Sequence, residues 1–278
     1  EEIKETLTLP SVTKDGVKIN LEINAGQEID ENIFKRVNAD GVGLLRTEFI
    51  FMEGKELPDE DIQVDFYEKV SRKIGEEKPL IIRTLDIGAD KSLPYFKMKP
   101  EQNPSLGERG IRFTLDKKGI LKTQLRAILK AGSTRNIKIM HPMITNTDEI
   151  QEVKILTEEI KQELVKEGVN FENEIETGIM VEVPSVILMA DQMCDYVDFF
   201  SIGSNDLAQY ILAADRFSQK ENNLYDYYNP AVLRAINIVA EAAAEKGKKT
   251  SVCGEMAGEP VGIVILLSFG IKTLSMSP

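Results

Sequence analysis

The stretch VDFFSIGSNDLAQY, Val197 to Tyr210, decides the fold. Four of its first six residues are apolar, and as an extended chain it puts apolar side chains on both faces. Strands of that kind lie inside parallel sheets covered from either side, whereas half-exposed antiparallel strands alternate apolar with polar. Gly203, Ser204, Asn205 and Asp206 follow, and Leu-Ala-Gln-Tyr then reads as a first helical turn. An interior strand passing through a short polar joint into a helix is half of a βαβ unit. Its ending on an amide beside a carboxylate also raises a chemical question, because a surface turn is the ordinary use of such residues.

The same pattern recurs along the chain. Strand-like runs occupy 17–24, 41–47, 79–86, 137–143, 177–183, 197–203, 249–254 and 271–277. Between them, Asp61–Lys73, Ile120–Ala131, Thr147–Glu167 and Ala231–Lys246 carry a helical period rich in Glu, Lys, Leu and Ala. Eight evenly sized strands separated by helices predict an α/β protein of the (β/α)8 TIM-barrel class, with a doubly wound open sheet as the alternative. Residues 1–16 read as an N-terminal linker and 17–278 as the barrel domain. Two connections, Gly88 to Gly119 and Asp215 to Pro230, are long, show no clear helix, and are therefore candidate carriers of function. Pro278 follows directly on the eighth strand, where a closing helix is expected. The chain thus reads as a barrel lacking its last C-terminal segment, a truncated chain or a fragment.

Composition narrows the function. With 42% hydrophobic and 29% charged residues in 278, the chain has the make-up of a soluble globular protein. It carries no apolar run of the roughly 18 residues a membrane span requires. The acidic start EEIKETLTLP resembles neither a signal nor a transit peptide. Cys194 and Cys253 stand far apart without metal-ligand spacing, which suits a reducing, cytosolic compartment. A net charge of −12 without any Lys/Arg run argues against a nucleic-acid surface. An anionic ligand would therefore need concentrated local positive charge.

Such charge gathers at the strand ends. The second strand ends near Arg46, the third near Arg83, the fifth at Glu182, the sixth at Asn205 and Asp206, and the seventh at Cys253. In a βα barrel these ends converge on the catalytic face. Arg46 has Glu48 close by as a possible local partner. Arg83, inside an apolar strand, must find an anion or a carboxylate. Arg109 and Arg112 in NPSLGERGIR, and Arg216 after the sixth strand's helix, add forked donors suited to phosphate and carboxylate oxygens. Glu182 and Asp206, on adjacent strands, suit Mg²⁺, which takes one or two protein carboxylates and fills its other positions with water or substrate oxygens. The bland reading, local capping and pairing, stands for each residue taken alone. Cys253 at a strand end beside a cationic mouth is a candidate for proton transfer, whereas Cys194 reads as a small buried hydrophobe. His141 is the single histidine, lies inside a strand and reads as structural, so no His-based triad can be assembled.

The segments GVGLLRTEFIFM, IIRTLDIGADKSLPYF, NPSLGERGIR, GIMVEVPS, FFSIGSNDLAQY and VCGEMAG resemble, in order, the motifs of phosphoenolpyruvate-utilising enzymes. They are most similar to the C-terminal domain of enzyme I of the bacterial phosphoenolpyruvate–sugar phosphotransferase system. Pyruvate phosphate dikinase and phosphoenolpyruvate synthase share the barrel and are the alternative, and a non-catalytic ligand-sensing module is a third reading. The resemblance implies that Arg46, Arg83 and Arg216 hold phosphate, with Arg109 near the carboxylate and enolate end. It implies that Glu182 and Asp206 ligate Mg²⁺, that Asn205 contacts substrate, and that Cys253 donates a proton to the methylene carbon. It further implies phosphoenolpyruvate and pyruvate as ligands and a homodimer. The longer protein would add a phosphohistidine domain and meet a phosphocarrier protein, with no membrane insertion. The isolated chain would then bind substrate without completing phosphotransfer. One departure stands inside the motifs: Ala89 occupies a position usually glycine, and a positive φ there would strain it.

Overall fold

The structure is a computed structural model that describes residues 9–26, 34, 37–88, 93, 95–96, 100–216 and 224–278. Each strand-like run contributes one strand: β1 (Asn20–Ala25), β2 (Gly41–Leu45), β3 (Leu80–Arg83), β4 (Ile137–His141), β5 (Thr177–Val181), β6 (Phe199–Ile202), β7 (Lys249–Val252) and β8 (Thr273–Met276). They pair in chain order, all parallel, and β8 returns to β1 in the register Asn20↔Thr273 to Ile23↔Met276. The sheet is therefore a closed barrel, and the open doubly wound alternative is excluded. β2, β3 and β6 are buried at every position, which is why their sequences show no alternation.

The described helices are α1 (Glu48–Met52), α2 (Glu60–Ile74), α3 (Ile111–Asp116), α4 (Lys118–Gly132), α5 (Thr147–Glu167), α6 (Pro184–Leu188), α7 (Ala190–Met193), α8 (Ser204–Leu212), α9 (Pro230–Glu245) and α10 (Pro260–Ser268). Local chemistry sets the ends of the long ones. Asp59 accepts from the Ile62 N–H ahead of α2, and Asn146 from the Glu149 N–H ahead of α5. Asn229 caps α9, whose first residue is Pro230. The α9 face buried on the barrel is Val232, Ala235, Ile236, Val239, Ala240 and Ala243, the helical spacing visible in the sequence.

Two parts depart from the sequence reading. The 88–119 connection does contain helix: a 3₁₀ turn at Pro104–Leu106, then α3. Six residues following Gly110, which offers no side-chain cap, are too short to display a period. α10 is the other departure: PVGIVILLS is apolar all round, so no period marks it. Ala89 lies outside the described residues. Within the expected linker, Val12 bridges antiparallel to Lys18 and the Ile19 N–H donates to the Ser11 carbonyl.

Inside the barrel the lumen is divided. Leu44, Ile81, Met140, Met180, Phe199 and Cys253 form an apolar cluster. Across from it, Ser275 Oγ donates to Asn24 Oδ1 (2.7 Å), and Asn24 Nδ2 donates to the Cys253 carbonyl (2.9 Å). Glu22 joins this polar side, 7% exposed. It fits because position 43 is glycine: a Cβ there would fall 2.4 Å from Glu22 Oε2 and 2.6 Å from Ser275 Oγ.

Candidate active site

Arg83, the last residue of β3, meets the anions that its burial demands. Its Nη2 pairs with Glu48 Oε1, its Nη1 with Asp86 Oδ2 (2.8 Å), and Glu182 Oε1 stands 4.0 Å from Nη1. Glu48 opens α1 and is 4% exposed. The pairing of Arg46 with Glu48 that the sequence allowed is thus replaced. Arg83, 6% exposed, claims the buried carboxylate, and Arg46 stays exposed on the wall of the mouth. Burial opposes the Arg83 charge, but Glu48, Asp86 and Glu182 outweigh it and hold the guanidinium above its ordinary value. Its Nε is buried without a hydrogen-bond partner.

The strand ends beneath are braced by a buried polar network that the sequence did not disclose. Thr47 Oγ1 donates to the Arg83 carbonyl, and Gln124 of α4 donates to Thr47 Oγ1 and to Tyr67 OH of α2. Gln124 Oε1 also accepts from the Leu85 N–H (2.8 Å). Every buried group here has a partner, which fixes the ends of β2 and β3 relative to each other.

Arg109 comes from the long connection, yet it is 7% exposed. Its Nε and Nη2 grip Asp86 at 3.3 and 2.9 Å, Nη2 reaches Asp206 Oδ2 at 3.4 Å, and Nη1 donates to Tyr210 OH at 3.2 Å. Gly110 makes the approach possible. Its φ is +60°, and a Cβ there would meet Met143 Cγ at 2.9 Å and Asp86 Oδ1 at 3.2 Å. Arg112 turns away from the mouth and donates to the Leu106 and Gly107 carbonyls.

Glu182 and Asp206 end β5 and open α8. Glu182 is 1% exposed, and its Oε2 accepts from the Met143 N–H (3.0 Å). Burial, then Asp206 and Asp86, push its carboxyl up against the pull of Arg109 and Arg83. Asp206 Oδ1 lies 3.3 Å from Arg216 Nη1 but is buried without a hydrogen bond. Among the described residues no three His, Cys, Asp or Glu side chains converge as a metal site. The crowded carboxylate pair with an under-satisfied oxygen nevertheless fits Mg²⁺, a hard cation content with two protein ligands. Asn205 Oδ1 accepts from the Glu255 N–H (3.0 Å), which ties the β6 exit to the β7 exit.

Cys253 is 4% exposed, below the mouth in the apolar cluster. Burial pushes its thiol up to about 11, a rise that Ser201, Arg83 and Arg46 moderate without reversing. Burial thus outweighs the nearby arginines, and at neutral pH the group holds its proton. His141 is fully buried with Nδ1 3.1 Å from Thr84 Oγ1, and burial pushes it down to about 3, in keeping with a structural role.

Arg46, Glu48, Arg83, Asp86, Arg109, Asp206 and Arg216, with Phe49 and Met52, surround a cavity of about 310 Å³. Glu182, Asn205 and Cys253 lie outside its lining. The lining sets four arginines against three carboxylates, Glu48, Asp86 and Asp206, and its buried arginines, Arg83 and Arg109, are ion-paired with them. Of the acidic partners, Asp86 escaped the sequence reading although it sits inside a quoted motif, and Glu48 entered it only as a partner for Arg46. The demand of Arg83 for an anion was the signal that they had to exist.

The fold and mouth define a class: a (β/α)8 barrel with interleaved arginines and carboxylates at the C-terminal ends of its strands, arranged for an anionic ligand. Residues 1–278 match the family model "PEP-utilising enzyme, PEP-binding domain", and the chain belongs to that family. It is 47% identical over 268 residues to a phosphoenolpyruvate-protein phosphotransferase of Bacillus subtilis (strain 168), covering 96% of this chain and 47% of that protein. It is 45% identical over 278 residues to a phosphoenolpyruvate-protein phosphotransferase of Mycoplasma capricolum, covering 100% and 48%. The chain thus spans about half the length of the curated relatives it matches. Among solved structures, a citrate lyase from Burkholderia xenovorans aligns with TM-score 0.58 at 15% identity, covering 99% of this chain and 76% of that one; the likeness extends to the fold alone.

Proposed function

We propose that this chain is the phosphoenolpyruvate-binding barrel of a phosphoenolpyruvate–protein phosphotransferase, the enzyme that starts a sugar-uptake phosphorelay. The carrying observation is the mouth, where Arg83 and Arg109 are buried against Asp86, Glu182 and Asp206 around one cavity. Arg46, Arg83 and Arg216 take the phosphoryl oxygens, Arg109 the carboxylate and enolate end, and Asn205 a further substrate contact. The unpartnered Arg83 Nε supports this assignment. Glu182 and Asp206 are the residues that would hold Mg²⁺, which when bound supplies positive charge for phosphate and enolate oxygens.

The reaction moves the phosphoryl group from phosphoenolpyruvate to a histidine of a separate phosphohistidine domain. The P–O bond to the enol oxygen breaks, a P–N bond forms, and pyruvate enolate is left behind. Fixed guanidinium groups stabilise the negative charge spread over the moving group. The Cys253 thiol then gives its proton to the methylene carbon, completing pyruvate, and the thiolate regains a proton from solvent. A thiol held protonated by burial suits a donor better than a nucleophile. The histidine next passes the phosphoryl group to a phosphocarrier protein. The working enzyme is a cytosolic homodimer, and the isolated chain binds substrate without self-phosphorylation, because His141 is sealed in the barrel wall.

The test is calorimetric titration of the chain with phosphoenolpyruvate in Mg²⁺ and again in chelator. Binding in Mg²⁺ that weakens at least roughly tenfold in chelator is expected, a difference of about 1.4 kcal/mol. Equal binding in both would remove Glu182 and Asp206 as metal ligands, and no binding in either would overturn the reading.

A further inference from the structure

Tyr210 has no role in the chemistry described above, yet its hydroxyl stands where the long 88–119 connection meets α8. It lies four residues after Asp206 on α8, so the two side chains share one helix face. The phenol accepts from Arg109 Nη1 at 3.2 Å and donates to the Ser105 carbonyl in a short contact. Ser105 belongs to the 3₁₀ turn of the same long connection that delivers Arg109. That turn is pinned from its other side by Arg112, which donates to the Leu106 and Gly107 carbonyls. Arg109 itself is gripped by Asp86 through Nε and Nη2 and touches Asp206 through Nη2, so Tyr210 supplies the hold on its Nη1 edge.

We propose that Tyr210 is a positioning residue: its hydroxyl sets Arg109 and the Ser105–Arg109 segment relative to Asp206, and so fixes the distance between the ligand's anionic end and the metal-ligand pair. The geometry favours this over simple packing. A packing tyrosine would spend its hydroxyl on one partner or on water, whereas this one bridges a guanidinium and a carbonyl of one loop from the helix that carries Asp206. The inference rests on the mouth binding phosphoenolpyruvate as proposed above.

The experiment uses Tyr210→Phe, Arg109→Lys and the double variant, titrated with phosphoenolpyruvate in Mg²⁺, together with ¹⁵N–¹H spectra of the ligand-free chain labelled at arginine. Removing a hydrogen bond to a charged group should weaken binding about tenfold in Tyr210→Phe. The unfolding midpoint should move by less than about 2 °C. In the Arg109→Lys background the same change should add less than about twofold, the signature of acting through Arg109. The Arg109 side-chain signals should broaden or vanish in Tyr210→Phe. Wild-type affinity in Tyr210→Phe, an equal loss in both backgrounds, or a loss matched by a fallen midpoint would each overturn the proposal. If the wild type binds nothing while the Arg109 signals still depend on Tyr210, the functional reading fails and the positioning stands.

Discussion

Glu182 and Glu22 are both buried in the same lumen, at opposite ends, and both carboxyls are pushed upward by burial. At the mouth, Glu182 sits among Asp206, Asp86, Arg83 and Arg109, and further carboxylates add to its burden. At the floor, Glu22 sits among hydroxyls, with Lys138 and Lys249 pulling its carboxyl down and Asp40 pushing it up, and settles at about 7. It borders a cavity of about 180 Å³ lined by Asn20, Lys138, Ser251 and Thr273, and its Oε2 has no partner. Both carboxyls are thus pushed towards taking up a proton, and what sets the mouth apart is the pair of buried arginines, Arg83 and Arg109, held against Glu48, Asp86 and Asp206. Among the described residues the floor has no buried cation of that kind beside Glu22. Under the proposed function the interleaved charge at the mouth serves a ligand, whereas the floor bears on stability.

The largest effect that would break this contrast is at Arg83. Arg83→Met leaves Glu48 without its buried partner and Asp86 with Arg109 alone, and should cost about 3–5 kcal/mol in denaturant unfolding. It should also remove phosphoenolpyruvate binding in calorimetry. Retained affinity would separate the site from the charge cluster.

Gly43→Ala tests the floor. Its Cβ would collide with Glu22 and Ser275, and a loss of about 1–3 kcal/mol is expected by chemical unfolding. Affinity for phosphoenolpyruvate should stay unchanged, and a parallel loss of binding would mean that the two ends are coupled.

Glu22→Gln sharpens the comparison through pH. A carboxyl near 7 in the fold and near 4.5 when unfolded favours the native state below about pH 4.5. That contribution is lost as pH rises through 7, where the folded protein must carry the buried charge. The variant should therefore gain on the wild type above pH 7, by an amount on the order of 1–3 kcal/mol, and lose that advantage towards pH 4.5. A difference between the two melting curves that is flat with pH would contradict the burial account.

Gly110→Ala should have the smallest effect. A side chain at φ +60° costs roughly 1 kcal/mol, and the new Cβ presses on Asp86 beside Arg109. A severalfold weaker phosphoenolpyruvate titration with nearly intact stability is expected. Unchanged affinity would show that the Asp86–Arg109 grip tolerates displacement.

The barrel was legible because each strand carries its own apolar run and needs no distant partner to be recognised. α10 was not, since PVGIVILLS offers no polar face from which to read a period, and α3 is too brief to show one. At the mouth, the residues marked by position were Arg46, Arg83, Glu182, Asp206 and Cys253, and the fold explains why strand ends reveal them. Asp206 and Arg83 do stand at one cavity, while Cys253 lies beneath it. Asp86 and Tyr210 stayed hidden, and Glu48 was assigned to the wrong arginine, for a physical reason. An acidic residue after a strand looks like a solvated turn, and a tyrosine on an amphipathic helix looks like core. Which carboxylate a buried arginine takes is settled by three-dimensional distance, as the exchange of Arg46 for Arg83 at Glu48 makes plain.

The central claim is that the charge held at the mouth is kept for phosphoenolpyruvate. Its most direct test is the unfolding midpoint of wild type, Glu182→Gln and Glu22→Gln with and without phosphoenolpyruvate and Mg²⁺. Ligand at about a hundred times its dissociation constant stabilises by about 2.7 kcal/mol. For a domain of this size that is a rise of several degrees, roughly 5–10 °C. The account expects this rise in wild type and in Glu22→Gln, and its loss in Glu182→Gln. An equal rise in all three proteins, or none in the wild type, would contradict it.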